Sequence, residues 1–184
     1  MLNSTSCPGK GTGGRRRWLL RSAFLGLLTL LTACGYQLAG EGPLPGGVNT
    51  IAVTMLANRT GESGVEAVMT NALIDELTRR RQGVLVDAQR ADAVLSGTIT
   101  GLSADTLSRS ATLTARERRL VVTASLTLKD RNGNVLWQEG QLRAETSYPV
   151  AGTKAGTETN RRLAIGKVAQ RLAEYVYERL TDTF

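Results

Sequence analysis

Residues 116–147 read RERRLVVTASLTLKDRNGNVLWQEGQLRAETS. Leu120, Val122, Ala124, Leu126 and Leu128 take every second position, and Thr123, Ser125 and Thr127 fall between them. That two-residue period is a strand with one apolar face and one hydroxyl-bearing face. The run ends at DRNGN, where Asn132-Gly133 is a strong signal for a two-residue hairpin turn. Val135 to Ser147 is then the returning strand. A hairpin that is apolar on one side only needs a cover on that side, and helices are the expected cover.

Two helical patterns flank it. Downstream, residues 148–157 read as a loop, and Glu158 to Leu180 as a helix. Ile165, Val168, Leu172, Val176 and Leu180 make its stripe, while Ala169 and Ala173 allow close approach. Upstream, NRTGESGVEAVMTNALIDELTRRRQG (residues 58–83) has Thr60 as a cap, Glu62 and Glu66 early, Arg79, Arg80 and Arg81 late, and Gly83 beyond. Acids first and bases last complement the helix dipole. Val65, Val68, Met69, Ala72, Leu73 and Leu77 form its apolar face, and the arginine run reads as a solvated last turn, the alternative being a phosphate or lipid-headgroup site. Val48 to Leu56 reads as a strand apolar on both faces, Val84 to Val86 as a short strand and Ala91 to Leu102 as another. Residues 103–115 carry no Gly or Pro and extend that strand or form a hairpin. The order β-α-β-β-β-α predicts an α/β (α+β) sandwich, with two helices packed on a four-stranded mixed sheet. One domain is expected over residues 48–184, with no repeat.

The formal charge of +7 over 184 residues is not a nucleic-acid signature. Lys10, Arg15, Arg16, Arg17 and Arg21 lie before residue 34 with no acid among them, leaving 18 basic against 16 acidic residues beyond. A nucleic-acid footprint would be a clustered basic face in the folded part. The chain has no His, and its two cysteines are Cys7 and Cys34. The usual general base and the commonest metal ligand are therefore missing, and no metal or cofactor is expected. Asp75 and Glu76 are adjacent on a helix and point apart. Lys129, Lys154 and Lys167 have no Ser at a recognisable spacing. Neither set suggests an enzyme.

Residues 15–34, RRRWLLRSAFLGLLTLLTAC, have the order of a bacterial export signal: basic residues, an apolar stretch, then small residues before Cys34. Arg21 interrupts a stretch already short for a bilayer-spanning helix of about 20 apolar residues. The alternatives are a membrane anchor and an ordinary signal cut beside Ala33. Arg15-Arg16-Arg17-Trp18-Leu19-Leu20 also resembles a twin-arginine signal. Residues 1–14 read as an unstructured extension or an early start codon. Leu31-Thr32-Ala33-Cys34 matches the bacterial lipobox. That match implies a removed signal at residues 1–33, diacylglycerol on the Cys34 thiol, and acylation (palmitate) of the new N-terminus. Gly35 follows the cysteine where Asp would signal inner-membrane retention, which favours the outer membrane. Residues 34–47, rich in Gly and Pro, are the tether.

Cys34-Gly35-Tyr36-Gln37-Leu38, Leu44-Pro45, Ile51-Ala52-Val53, Asn58-Arg59-Thr60-Gly61-Glu62 and Ala91-Asp92-Ala93-Val94-Leu95-Ser96-Gly97 occur in that order. Together they resemble the LPS-assembly lipoprotein LptE (RlpB) family. The resemblance implies an outer-membrane lipoprotein on the periplasmic side that plugs the LptD β-barrel and assists its assembly. It also implies a part in lipopolysaccharide transport and insertion, without covalent chemistry. Basic residues near the second hairpin and before the last helix are linked to lipopolysaccharide in the family. The corresponding positions here, near Ala111 and Thr157, are not basic. Arg109, Arg116, Arg118, Arg119 and Lys154 are therefore the contact candidates. The competing expectation is a lipoprotein that activates a peptidoglycan synthase. Against it, a tether from Gly35 to Gly47 reaches at most about 45 Å.

Mass spectrometry of the native protein is expected to show an acylated Cys34 as the first residue. A free thiol on that mature N-terminus would refute the lipobox reading.

Overall fold

The computed structural model describes residues 42–109 and 115–182. Cys34, the export signal and Ala111 lie outside the described residues. Strands β1 (Ile51–Val53) and β2 (Ala57–Asn58) precede helix α1 (Val65–Arg80). Then come β3 (Ala93–Arg109), β4 (Ala115–Asp130), β5 (Val135–Pro149) and helix α2 (Lys154–Thr181). The sheet runs β1-β3-β4-β5, with β2 also pairing β3. The β1 and β2 pairings are parallel and the others antiparallel, so the sheet is mixed.

The alternation in β4 sets the layers. Leu120, Val122, Ala124, Leu126 and Leu128 are all fully buried. They share one core with Val65, Met69, Leu73 and Leu77 of α1 and with Val168, Leu172 and Val176 of α2. Both helices therefore cover the same face, as a single apolar face requires. Full burial of each such leucine contributes about 2 kcal/mol. Val68, read as part of the α1 stripe, is exposed.

Several boundaries move for local reasons. The strand read over residues 48–56 keeps only three residues in β1. The chain then dips so that Leu56 is buried and its N–H donates to the Thr70 hydroxyl of α1 (3.1 Å). Helix α1 begins beyond Thr60, after Gly64 in a left-handed conformation (φ 85°). Helix α2 begins at Lys154 because the Thr153 hydroxyl accepts from the Gly156 N–H (3.1 Å), a side-chain N-cap. The β4–β5 turn has four residues, not two. The Asp130 carboxylate accepts from the N–H groups of Asn132 and Asn134 (2.8 Å each) and holds the wider loop. In the stretch read as tether, Leu44 is buried in the core and Arg81 donates to the Gly42 carbonyl (3.4 Å).

The helix-end arginines make polar contacts, although the Arg79 side chain stays largely exposed. Buried Glu76 accepts from both Arg79 and Arg80, the latter at 2.8 Å. Arg80 also stacks over the Tyr177 ring of α2 at 5.5 Å. This pairing joins the two helices at the end of α1.

Gly97 explains why its strand motif ends in glycine. A Cβ there would run into the Leu126 side chain and the Ser125 carbonyl of β4. Gly97→Ala is expected to cost about 1–3 kcal/mol. Urea unfolding should show a lower midpoint with an unchanged slope.

Candidate functional site

The motif residues of the sequence are mainly joints. Asn58 accepts from the Thr60 N–H and hydroxyl (2.8 Å each) and donates to the Glu62 carbonyl (2.8 Å) and the Glu66 carboxylate (2.7 Å). Glu62 in turn makes a two-pronged pair with Arg161 of α2, at 2.9 and 2.6 Å. The Arg161 guanidinium is the main reason that the Glu62 carboxyl titrates below its ordinary value, with burial opposing. The NRTGE stretch thus pins the approach to α1 onto α2.

Asp92 is the second joint. One of its carboxylate oxygens accepts from the N–H groups of Asn49 (3.2 Å) and Thr50 (3.1 Å) and from the Thr50 hydroxyl (2.9 Å). The Thr50 hydroxyl and these N–H groups depress its pKa, with Arg131 adding a smaller attraction. It locks the start of β1 beside β3.

A polar surface is left over. Ser96 pairs Thr127 and Thr98 pairs Ser125 across β3 and β4, while Thr127 pairs Gln138 and Thr123 pairs Arg143 across β4 and β5. By strand alternation these residues face away from the helices. The hydroxyl row read from β4 thus extends onto β3, and Gln138 and Arg143 of β5 continue it as a polar band.

The five cations proposed from the sequence do not form one cluster. Arg109 and Arg116 sit on the outer part of the β3–β4 hairpin, with Arg116 exposed. Arg119 faces the polar side, opposite Asp105 and Ser147. Arg118 faces the helix side, opposite Tyr148. There it lines a cavity of about 410 Å³ together with Tyr148, Lys154, Thr157, Glu158 and Arg161. The structure thus brings Arg118 and Lys154 to one place.

Tyr148 and Arg161 had no signal in the sequence, where residue 148 read as loop. Tyr148 is 2% exposed, and its hydroxyl has no hydrogen-bond partner among the described residues. A buried unsatisfied hydroxyl costs about 1–3 kcal/mol. Among the described residues, no group of three His, Cys, Asp or Glu side chains is placed to hold a metal. No described helix is long and apolar enough to cross a membrane.

The profile of the lipopolysaccharide-assembly family LptE matches residues 48–180, which takes in every strand and nearly all of both helices. The chain belongs to the LptE family. Membership places its role in lipopolysaccharide assembly, in a family that is not enzymatic. No curated protein matches the chain in sequence. Among solved structures, the uncharacterized lipoprotein B from Nitrosomonas europaea is 15% identical, with a TM-score of 0.53, covering 80% of this chain and 90% of that one. A minor lipoprotein from Acinetobacter baumannii is 20% identical, with a TM-score of 0.50, covering 73% and 92%. Both show the same fold as this LptE-family chain.

Both joint carboxylates have depressed pKa values in the folded state, so each stabilises the fold above its ordinary value. That stability is lost as pH falls through the lower, folded value. The melting temperature is expected to be flat above pH 5 and to fall below about pH 4. Asp92→Ala should melt lower at pH 7 and show a shallower acid dependence. An unchanged acid slope in that variant would remove Asp92 from the account.

Proposed function

We propose that this LptE-family chain is an outer-membrane lipoprotein, anchored on the periplasmic side through Cys34. It occupies the lumen of the LptD β-barrel as a plug, assists assembly of that barrel, and takes part in moving lipopolysaccharide to the outer membrane.

The observation that carries the barrel reading is the hydroxyl band on the sheet face away from the helices. Barrel lumens are polar. A plug therefore needs a broad surface that hydrogen-bonds to wet walls and does not demand an apolar partner. Ser96, Thr98, Thr123, Ser125 and Thr127 offer short side chains at strand spacing, which lets the surface sit close to a barrel wall. Membership of the family supports the same partner.

For lipopolysaccharide, the candidates remain Arg109, Arg116, Arg118, Arg119 and Lys154. Charge-assisted hydrogen bonds from such groups to phosphate are among the stronger polar contacts. The division of Arg118 from Arg119 across the sheet assigns them different duties in this reading. Arg119 faces the band, where it meets the barrel or its acids. Arg118 faces the cavity beside Lys154.

Affinity purification from detergent-solubilised outer membrane tests the partner. One large β-barrel protein is expected in equal amount with this chain. Recovery of a penicillin-binding protein instead would overturn the reading in favour of peptidoglycan synthase activation. Replacing Thr98, Ser125 and Thr127 together by Leu should reduce barrel recovery while leaving the melting temperature within a few degrees.

A further inference from the structure

We propose that the outer edge of β5 pairs with the same edge of a second copy of this chain. The two strands run antiparallel about a two-fold axis at Ala144, giving a homodimer with one continuous sheet. The inference stands apart from the plug reading, since it concerns the chain with no barrel present.

β5 closes the sheet on one side, and no described strand pairs with its outer edge. Three observations fix which backbone groups point outward. Arg171 of α2 donates to the Glu145 carbonyl (2.5 Å), and Asn160 donates to the Pro149 carbonyl (3.0 Å). Pro149 itself has no N–H to give to β4. Odd positions from 143 to 149 therefore turn their backbone groups away from β4. The N–H groups of Arg143, Glu145 and Ser147 have no partner among the described residues. Sheet edges are commonly blunted by bulges, prolines or charges. Here the register shift opposite Ala124 and Leu126 ends the open stretch on one side, and Pro149 ends it on the other. A regular run of edge backbone is left between them, at residues 143–147. Beside it α2 leaves two large apolar side chains in water, Leu163 (62% exposed) and Tyr175 (51% exposed). Leu163 lines a small cavity with Ser147, and Tyr175 lines a trough of about 420 Å³ with Arg143 and Glu145. Open edge backbone flanked by exposed apolar side chains is what an added strand covers.

The charges select both the occupant and the register. Two copies of one edge meet about a two-fold axis, which makes the strands antiparallel. Outward residues then face outward residues, which leaves few registers. An axis at Arg143 sets that cation against itself, and an axis at Glu145 sets that carboxylate against itself. Like charges directly opposite are destabilising. With the axis at Ala144, Arg143 faces Glu145 of the second copy, and Glu145 faces its Arg143. Both side chains are exposed. They share one face of the sheet, so they meet across the seam. Each such facing pair exchanges two backbone hydrogen bonds. The Glu145 carbonyl has two lone pairs, so Arg171 and the second copy share it. The edge thus carries the complement of its own charges two residues away, an order that an unrelated strand has no reason to match.

Sedimentation velocity of the full chain in detergent tests the pairing, with micelles in excess over protein. A concentration-dependent dimer is expected. Arg143→Glu and Glu145→Arg each turn both facing pairs repulsive, and each alone should weaken the dimer by at least about tenfold. The double change Arg143→Glu, Glu145→Arg restores opposite charges and should return the dimer to within about threefold of the unchanged chain. All three variants should melt within a few degrees of it, since both side chains are exposed. Two chains that merely share a micelle are indifferent to these charges. A monomer at every concentration overturns the proposal. So does a dimer that ignores the single changes, or one that the double change fails to restore. The barrel takes no part in the measurement, so failure here leaves the plug reading standing.

Discussion

The structure depends on one constraint. β4 is the central strand of the antiparallel part of the sheet, and only one of its faces is apolar. It pairs with β3 on one side and β5 on the other along most of its length, with local register shifts, so most of its backbone groups find partners in the sheet. Its five inner aliphatic residues are out of water, and Thr123, Ser125 and Thr127 alternate with them on the outer face. A strand of this kind allows helices on one side and forbids a second apolar layer on the other. The two-layer sandwich, the shared core of α1 and α2, and the polar band all follow from that alternation.

The same constraint explains what the sequence made legible. Period two in β4 and period 3.6 in α2 are long enough to survive local noise, so the order of the main elements along the chain and the number of helices could be read directly. The places that moved are governed by single side chains acting on backbone. Asp130 widened a turn that Asn132-Gly133 alone would have kept tight. Gly64 delayed α1, and the Thr153 cap advanced α2. Leu44 joined the core from a Gly- and Pro-rich stretch whose composition marks flexibility, because one apolar side chain does not change a composition.

The site was less legible than the fold, and the reason is geometric. Arg118 and Arg119 are neighbours in sequence, and a run such as RERR reads as one basic patch. In a strand, neighbours point to opposite faces. The run therefore supplies one cation to the polar band and another to the helix side. Tyr148 could not be found from the sequence at all. Its importance comes from lying opposite Arg118 in the ladder while remaining beneath the first turn of α2. Those neighbours are 30 and 6 residues away along the chain.

The joints also bear on the cavity at Arg118. Glu62 reaches Arg161 from the loop before α1, across 99 residues of sequence. That pair sets where the first turns of α2 lie relative to α1, and α2 carries Lys154. Holding Arg161 by a carboxylate from the other helix neutralises the cation most deeply placed in the cavity wall. The other cations lining that cavity, Arg118 and Lys154, are exposed. A family motif that looks like a surface loop therefore fixes a helix distant in sequence. It does so through one carboxylate that pairs with Arg161 at both oxygens.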